Sequence, residues 1–578
     1  MRHSVARILL SALAVVVVSA AATRSQAPPP GMPVVGRSMV MTKYGIVAAS
    51  QPLAARAGVQ ILERGGNAID AAIAANATIG LMEPTSNGIG GDLFALVYEA
   101  KTGKMYGLNA SGWSPAELTL DLLTSKGVTR MPQRGAYSVT VPGVVAGWDA
   151  LRTRFGTKPF SELLAPAIFY AQNGFPVSEV IARAWGGSSE FLAAHPNSKA
   201  TFLPGGLAPK AGETFRNRDL AASLQRIAAS GRDGYYTGPT AQAIVSILQA
   251  NGNPATLDDL KSFQPEWVTP IETTYRGWTV AEIPPNSQGI AALMMLNIMG
   301  RYPLAEYGFH SAKALHVMIE AKKLAYADLL RYVGDPKFSK MPVETLLGAD
   351  YARQRAALID PGKAACTVAP STLAGVTDAE GSDTIYMTTI DQDGNIVSLI
   401  QSNYSGFGSG LVPTGMGFML HNRGGLFTLE PHQPNTLAPH KRPLHTIIPA
   451  MMRKDDVVIG FGIMGGWNQA QAHAQFVANI ADYGMTLQQA LEAGRFTKGT
   501  FDGCDVQVES LIPESVRGEL QALGHAVRVV APRSSTFGYG QAVSTRADGT
   551  HFGASEPRHD GAAIPQAPPV FGPAGPTR

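Results

Sequence analysis

Cysteine is scarce in this sequence of 578 residues, which contains only Cys366 and Cys504. Two cysteines exclude a disulfide framework and a CxxC metal site, although an oxidising compartment would allow one disulfide between them. Charge is also scarce: 16% of the residues are charged, the formal net charge is +3, and no block of Lys or Arg occurs. We therefore expect no nucleic-acid partner and no basic membrane-binding stripe.

Long apolar runs are absent beyond the N-terminus. The chain begins with Arg2, His3 and Arg7, followed by an apolar run over residues 8–18 and then by small residues. This order is typical of a secretory signal peptide, and the run is about half as long as a membrane-spanning helix. We predict a signal peptide over residues 1–27 and a periplasmic or secreted protein, with an uncleaved N-terminal anchor as the alternative.

Several familiar catalytic motifs are also missing. The sequence has no H-E-x-x-H zinc motif, no G-x-S-x-G nucleophile elbow and no Walker loop. His421, His440 and His445 have acidic neighbours but lack paired metal-ligand spacing. We therefore predict no metal ion.

A glycine-rich stretch does match G-x-G-x-x-G, at Gly460, Gly462 and Gly465. A dinucleotide site is disfavoured because no convincing βαβ unit surrounds the motif. Two other interpretations stay open. The stretch forms a tight turn where backbones approach closely, or the Gly465 and Gly466 amides, at a helix start, donate to a developing oxyanion.

The pattern of apolar residues divides the chain near residue 383. Before this point, helices are predicted at Pro52–Arg64 and Ala68–Leu81, the second apolar nearly all round and therefore buried. A strand is predicted at Tyr275–Ile283. Residues 360–382 show no sustained period and are typical of a surface linker. Later elements are predicted at Thr384–Asp391 and Ile396–Ser402 (a hairpin), Val457–Phe461 (a strand) and about residues 469–482 (a helix).

Thr384 stands at this boundary, where a loose segment meets a strand. A threonine in a strand is ordinary, because β-branched side chains suit the pleat. A threonine that becomes the first residue of a chain is different, because its free α-amine has a pKa near ~8 and can act as the base for its own hydroxyl. Cleavage just before Thr384 would create such a nucleophile.

Several ordered motifs together resemble the γ-glutamyltransferase (γ-glutamyl transpeptidase) family of N-terminal-nucleophile hydrolases. They include "GGNAIDAAIAANATIGLMEPTSNGIGGDLF", "SVTVPGVVAGW", "DTIYMTTIDQDGNIVSL", "GFGSGLVPTGMGFML", "APHKRPLHTIIPAM" and "GASEPRHDGAA". The resemblance extends from about Gly45 to Ala563, and the number and order of the motifs make it specific.

The resemblance implies an α+β, four-layer αββα fold and a precursor that cuts itself between Asp383 and Thr384. Residues 28–383 would form the large subunit and residues 384–578 the small subunit, the two building one composite domain. Thr384 would be the nucleophile, Ser402 a hydroxyl beside it, and Gly465 and Gly466 the oxyanion hole. The implied reaction is acyl transfer from an amide to water or an amine, with no cofactor.

The resemblance also places substrate-binding positions, and there the chain departs from the family. These positions are Ser111, Tyr404, Arg423, Leu426, His445 and Thr446. Ser111 stands where the family has an Arg for the substrate α-carboxylate, and Leu426 where it has an Asp for the α-amino group. Each such bond contributes roughly 1.5–3 kcal/mol, so their loss weakens binding of an amino-acid head.

Three hypotheses follow for the function. The first is hydrolysis or transfer of the γ-glutamyl group of glutathione and other γ-glutamyl amides, with Arg134, Arg423 or His445 rebuilding the lost contacts. The second is an acylase that acts on glutaryl-type amides, as in relatives with cephalosporin-acylase activity. The third is a binding relative that never processes, which the retention of Thr384 and Ser402 disfavours.

Overall fold

Two seven-stranded sheets dominate the computed structural model, which describes residues 36–369 and 382–570. The predicted signal peptide and residues 370–381 of the predicted linker lie outside the described residues. The strands are β1 (Val40–Thr42), β2 (Ile46–Ala49), β3 (Asp92–Glu99), β4 (Lys104–Ala110), β5 (Phe175–Pro176), β6 (Thr214–Phe215), β7 (Glu266–Val268), β8 (Ile271–Tyr275), β9 (Trp278–Glu282), β10 (Ser382–Ile390), β11 (Ile396–Ser405), β12 (Ala450–Lys454), β13 (Val457–Ile463), β14 (Phe496–Thr497), β15 (Asp505–Glu509), β16 (Ala526–Val530), β17 (Gly540–Ser544), β18 (His551–Ser555) and β19 (Ala562–Pro565).

Helices fill most of the chain between β4 and β10 and cover both sheets. The α-helices are α1 (Pro52–Glu63), α2 (Ala68–Met82), α3 (Leu120–Ser125), α4 (Val144–Phe155), α5 (Phe160–Leu163), α6 (Ala165–Asn173), α7 (Glu179–Gly187), α8 (Ser189–Ala193), α9 (Pro196–Phe202), α10 (Arg218–Ser230), α11 (Asp233–Tyr236), α12 (Gly238–Ala250), α13 (Leu257–Ser262), α14 (Gly289–Met299), α15 (Leu304–Tyr307), α16 (Ala312–Tyr332), α17 (Val343–Leu346), α18 (Ala349–Ala356), α19 (Asn468–Ala481), α20 (Leu487–Glu492) and α21 (Glu514–Ala522). Single 3₁₀ turns are Ala136–Ser138, Pro204–Gly206, Arg423–Leu426 and Ser535–Phe537.

Both sides of the predicted cleavage point contribute to both sheets. One sheet has the order β19-β2-β10-β11-β3-β4-β7, and the other has the order β1-β18-β17-β13-β12-β9-β8. In the first sheet, β10 and β11 pair with each other and lie between β2 and β3 from the N-terminal part. The two predicted subunits therefore share their sheets and cannot be separate domains.

The layers follow the order helix, sheet, sheet, helix. Helices α1 and α2 pack on the sheet that contains β10, and α14 and α19 pack on the sheet that contains β13. Between the two helical layers, β10 packs directly against β13 and β17 of the facing sheet. This arrangement confirms the predicted α+β, four-layer αββα fold.

Helix α2 shows how the sequence specifies a buried layer. Asn67 caps its first turn and forms a reciprocal capping box with Asp70, which fixes the start of the helix. Of its 15 residues, 14 are buried, as its apolar residues on all sides predict. Both predicted N-terminal helices are confirmed to within two residues.

The stretch Tyr275–Ile283, predicted as one strand, is instead the turn and second arm of a hairpin. Arg276 and Gly277 have φ of +52° and +81° and connect β8 to β9. Two consecutive residues with positive φ form the tight turn that suits the twist of paired strands. The single-strand interpretation was wrong because Arg-Gly is a weaker turn signal than Asn-Gly or Asp-Gly.

Gly460 and Gly462 of the G-x-G-x-x-G stretch lie within β13 and face the other sheet. A Cβ on Gly462 would lie 2.4 Å from Tyr386, and one on Gly460 would lie 2.6 Å from Ile396. The flanking strands β12 and β17 are both antiparallel to β13. These glycines permit the close approach of two sheets, and the antiparallel setting does not fit a dinucleotide-binding unit.

Cys366 and Cys504 form a disulfide across 138 residues of sequence. Nearby backbone hydrogen bonds join the same segments, from the Gly503 amide to the Cys366 carbonyl (2.7 Å) and from the Ala364 amide to the Leu523 carbonyl (2.7 Å). Part of the predicted linker is therefore anchored to the C-terminal region.

No helix within residues 36–369 and 382–570 has the length and apolarity to cross a membrane.

The packing of β13 on β10 generates a stability prediction for Gly462→Ala. The new methyl group would overlap the buried Tyr386 ring, whose hydroxyl bonds Ser398 at 2.7 Å, so the unfolding free energy should fall by about 1–3 kcal/mol. Gly518→Ala is the control, because its Cβ meets nothing within 4 Å in α21. Thermal unfolding should show a lower midpoint for Gly462→Ala alone, and equal midpoints for both variants would contradict this account.

Candidate active site

Thr384 lies in β10 at a break in the pairing with β11. Asp383 pairs with Tyr404 and Ile385 pairs with Gln401, so Thr384 alone faces two residues, Ser402 and Asn403. This is a β-bulge, which re-aims a side chain out of the regular ladder and is common beside active sites. The Thr384 side chain is fully buried.

The Thr384 hydroxyl donates a hydrogen bond to Ser402. The distance between the two side-chain oxygens is 3.1 Å, and the Tyr404 amide also donates to the Ser402 oxygen at 2.7 Å. Tyr404 has φ of +76°, so the chain bends sharply just after Ser402. The predicted nucleophile and the predicted neighbouring hydroxyl are thus in direct contact.

Gly465 and Gly466 form a turn between β13 and α19, with φ of +125° and +55°. Such φ values favour glycine, and the turn places both amides at the start of a 14-residue helix. Within the described part of the chain, neither amide has an acceptor in hydrogen-bonding geometry. The turn therefore presents two available donors, as an oxyanion hole requires.

Tyr539 connects this turn to the nucleophile. Its carbonyl accepts from the Met464 amide at 3.1 Å, and its hydroxyl lies 3.5 Å from the Thr384 carbonyl oxygen. Gly538 lies against Gly465, since a Cβ on Gly465 would be 3.3 Å from the Gly538 Cα. Tyr539 therefore contacts both Met464, which precedes the glycine turn, and the backbone of Thr384.

A buried charge, Asp92, organises the other side of the site. Asp92 pairs with Ser402 across β3 and β11 and is fully buried. One carboxylate oxygen accepts from the Gly112 amide at 3.0 Å, and the other lies 3.0 Å from His445 Nε2. His421 Nδ1 is 3.4 Å from the same carboxylate. Asp92 thus holds two buried imidazoles beside the predicted nucleophile.

Burial and charge set the protonation states in this cluster. Burial lowers the pKa of His445 to about 3, with repulsion from Arg423 adding to the effect, and burial also lowers the pKa of His421. Burial alone would raise the pKa of Asp92, but His421, His445 and Arg423 outweigh it and hold that pKa below its ordinary value. At neutral pH, Asp92 is ionised and both histidines are neutral.

Arg423 is the buried cation of the site. Its Nη1 donates to the Thr446 hydroxyl at 2.6 Å, its Nε lies 3.9 Å from Asp92, and its guanidinium lies 4.5 Å from the centre of the Tyr404 ring. Burial lowers its pKa to about 10, so it remains charged at neutral pH. Within residues 36–369 and 382–570, its Nη2 has no hydrogen-bond partner.

Ser111 and Leu426 complete the set of predicted positions. The Ser111 hydroxyl donates to Asn109 at 2.7 Å and accepts from Asn286 at 3.2 Å, so it is held inside a polar network. Leu426 lines a cavity of about 110 Å³ together with Tyr404 and Trp467. The structure thus brings all the predicted site residues into one connected region.

Other histidines lie apart from this cluster. His440 is half exposed and stacks on Trp113, 3.4 Å from Asp259. The described residues include one group with metal-ligand spacing, His316, Glu320 and His525. Lys323 donates to Glu320 at 2.7 Å and the two imidazoles bond each other at 2.8 Å, so all three side chains are already hydrogen-bonded to protein groups.

Comparisons with known proteins identify the family of this chain. The family model of gamma-glutamyltranspeptidase matches residues 54–566. The chain belongs to the gamma-glutamyltranspeptidase family. It is 39% identical to the glutathione hydrolase-like YwrD proenzyme of Bacillus subtilis, over 91% of this chain and 99% of that protein. It is 33% identical to the glutathione hydrolase proenzyme of Escherichia coli, over 90% and 91% of the two chains.

A solved structure agrees with the family assignment. The cephalosporin acylase from Bacillus halodurans superposes with a TM-score of 0.85 at 40% identity, over 93% of this chain and 98% of that chain. This gamma-glutamyltranspeptidase family member is therefore an enzyme of the N-terminal-nucleophile hydrolase type. Its curated relatives are named proenzymes, which supports two subunits derived from one precursor.

Asp92 is the site residue that sequence reasoning missed. The "TSNGIGGDLF" loop by itself indicates either close packing or a ligand approach, and Gly91 does pack closely: a Cβ there would lie 2.5 Å from the Ser402 carbonyl. A usable signal was present in the same loop. An aspartate begins the apolar strand "DLFALV". Burying its charge costs free energy unless other groups pair with it, so the pattern predicts hydrogen-bonding or charged partners for Asp92.

The neutral state of His445 predicts an acid-sensitive fold. Its pKa is about 3 when folded and near ~6.5 when unfolded, so the unfolded chain binds the extra proton and stability falls as pH drops below 6.5. At pH 5, unfolding of the unmodified protein is coupled to uptake of about one proton by His445, and His445→Gln should abolish that uptake. The thermal midpoint should therefore fall less between pH 7 and pH 5 in the variant.

His432→Asn is the control, because His432 is exposed in a turn with φ of +62°. Its pH profile should match that of the unmodified protein. An unchanged profile for His445→Gln would show that His445 is protonated in the folded protein, which would contradict the account.

Proposed function

We propose that this family member is a self-processing amidohydrolase in which Thr384 is the nucleophile. The contact between the Thr384 and Ser402 hydroxyls at a bulge of the central sheet is the observation that carries the proposal. In the precursor, the Thr384 oxygen attacks the Asp383 carbonyl carbon, and the peptide bond becomes an ester as the Thr384 nitrogen leaves as an amine. Water then hydrolyses the ester.

The mature site acts by covalent catalysis. The free Thr384 amine takes the proton of the Thr384 hydroxyl, whose oxygen attacks the substrate amide carbonyl. The Gly465 and Gly466 amides stabilise the oxyanion, and the leaving amine accepts the proton as the C–N bond breaks. Water or an amine then releases the acyl group from Thr384. No step of this sequence uses a cofactor.

Two acyl classes are supported by different observations. The relatives named glutathione hydrolases support a γ-glutamyl amide such as glutathione as the substrate. A glutaryl-type amide is the second class. It is supported by Leu426, which is apolar, and Ser111, which is neutral, at positions where the resemblance implies charged residues, and by the similarity to a cephalosporin acylase. We further propose that residues 1–27 export the precursor, because a disulfide forms in an oxidising compartment.

Self-processing is tested with Thr384→Ala. The mass of the reduced wild-type protein should show two chains, the smaller running from Thr384 to Arg578, while the variant stays whole because the attacking oxygen is missing. Thr384→Ser should still process. Thr389→Ala is the matched control, since Thr389 is a buried threonine of the same strand that bonds the Ala68 carbonyl. A single reduced wild-type chain would overturn the proposal.

A further inference from the structure

Arg423 has unused hydrogen-bonding capacity in a buried site, and this points to a ligand. A guanidinium with no exposed surface loses its hydration, so each unpaired N–H costs free energy unless a partner arrives. Nη1 is bonded to Thr446, whereas Nη2 has no partner in the described part of the chain. A carboxylate is the group that a planar guanidinium binds best.

The neighbouring residues show where that carboxylate would lie. Tyr404 packs against the Arg423 guanidinium and lines the cavity of about 110 Å³. Leu426 lines the same cavity and ends the 3₁₀ turn that begins at Arg423. Tyr404 is also two residues from Ser402, the partner of Thr384. A short acyl chain attached to Thr384 and extending past Tyr404 would reach the Arg423 guanidinium.

An α-ammonium has no comparable partner among the described residues near Arg423. Asp92 is the nearest carboxylate, but the Gly112 amide occupies one oxygen and the His445 ring lies 3.0 Å from the other. Its charge also faces Arg423 at 3.9 Å. An ammonium placed beside Arg423 would meet a like charge and the apolar Leu426.

We infer that Arg423 and Thr446 form a carboxylate-binding subsite, and that the preferred acyl group is a dicarboxylic acid half-amide without an α-amino group. This rests on the proposed function and narrows its substrate class. Glutaryl amides fit this description, whereas γ-glutamyl amides carry the disfavoured ammonium.

The subsite is tested first by binding, which needs no catalysis. Calorimetric titration of the processed wild-type enzyme should show glutarate binding at least about tenfold more tightly than pentanoate, which lacks the distal carboxylate. Glutarate should also bind more tightly than L-glutamate. Equal affinities for glutarate and pentanoate would overturn the inference whether or not the enzyme is active.

Kinetics with matched anilides provide the second test. Arg423→Gln should lower kcat/KM for glutaryl p-nitroanilide by about 10- to 100-fold and leave pentanoyl p-nitroanilide nearly unchanged. Arg442→Gln is the matched control, because Arg442 is buried beside Ser111 but donates to Ser111, Glu266 and Gln264. It should not change the ratio of the two rates.

The possible outcomes distinguish failure of the proposed function from failure of the carboxylate subsite. Hydrolysis of neither of these anilides nor of γ-glutamyl p-nitroanilide, with glutarate still preferred over pentanoate in binding, would count against the proposed function and leave the subsite standing. Hydrolysis of both anilides with equal losses in Arg423→Gln would contradict the subsite alone. If Arg423→Gln fails to fold, the wild-type binding comparison decides.

A second inference comes from the disulfide, independently of the acyl pocket. Cys366 precedes the proposed cleavage point and Cys504 follows it, so cutting the chain between Asp383 and Thr384 leaves the disulfide between the two products. We propose that the mature enzyme is a covalently linked heterodimer. The disulfide makes association of the two subunits intramolecular, so the stability of the sheets that they share does not depend on protein concentration.

Denaturing analysis with and without a reductant tests this link. The mature protein should have one mass without reductant and two masses with it, whereas Cys366→Ser should give two masses in both conditions. Two wild-type masses without reductant would overturn the proposal. If the reduced wild type is one chain, cleavage is at fault, and thiol titration of the denatured protein, showing no free thiol, would still confirm the disulfide.

Discussion

The pairing of β10 with β11 is the constraint on which the rest of this structure depends. This hairpin lies at the centre of a seven-stranded sheet: β2 pairs with Met387–Ile390 of β10 and β3 pairs with Ile396–Ser402 of β11, so the hairpin that carries Thr384 is held along both edges. The single irregularity in the hairpin pairing occurs at Thr384. A rigid sheet with one bulge gives a side chain the precise placement that catalysis needs, because the bulge re-aims it while its neighbours stay ordered.

The second sheet and the glycines follow from the same constraint. β13 must approach β10 closely to bring the Gly465–Gly466 turn near Thr384, and Gly462 permits this by leaving room for Tyr386. Gly91 does the same where β3 meets the Ser402 carbonyl. The glycine-rich motifs of this sequence are therefore mainly conditions for close packing, and the Gly465–Gly466 turn is the proposed source of amide donors for the oxyanion.

The buried charges explain why the acyl pocket departs from that implied by the family resemblance. Asp92 and Arg423 offset one another, and burial keeps His421 and His445 neutral, so the cluster has little net charge without a ligand. Among the described residues, the N–H groups of the cluster without a hydrogen-bond partner include Nη2 and Nε of Arg423, and Nε faces Asp92 at 3.9 Å. In the proposed subsite, Arg423 supplies the positive charge that the resemblance places at Ser111, which keeps an anchor for a carboxylate, whereas Leu426 offers none for an ammonium.

Much of this could be predicted from the sequence, because local patterns and ordered motifs specify it. The two N-terminal helices, the hairpin that begins near Thr384 and the four-layer fold are examples. Asp92 could not be assigned a role, because its side-chain partners His421, Arg423 and His445 come from a segment more than 300 residues away. The disulfide was open for the same reason, since sequence spacing does not show which loops meet. Arg423 was identified as a position, but only its contacts show which of its N–H groups remain unused.

The most direct test of the central claim is to trap the acyl group on the enzyme. Processed protein would be mixed with glutaryl p-nitroanilide, quenched in acid during the first turnover, reduced and analysed by peptide mass. We predict a glutaryl group on the peptide that begins with Thr384, formed together with a burst of p-nitroaniline. A burst with the acyl group on another residue, or turnover with no trapped adduct, would contradict Thr384 as the nucleophile.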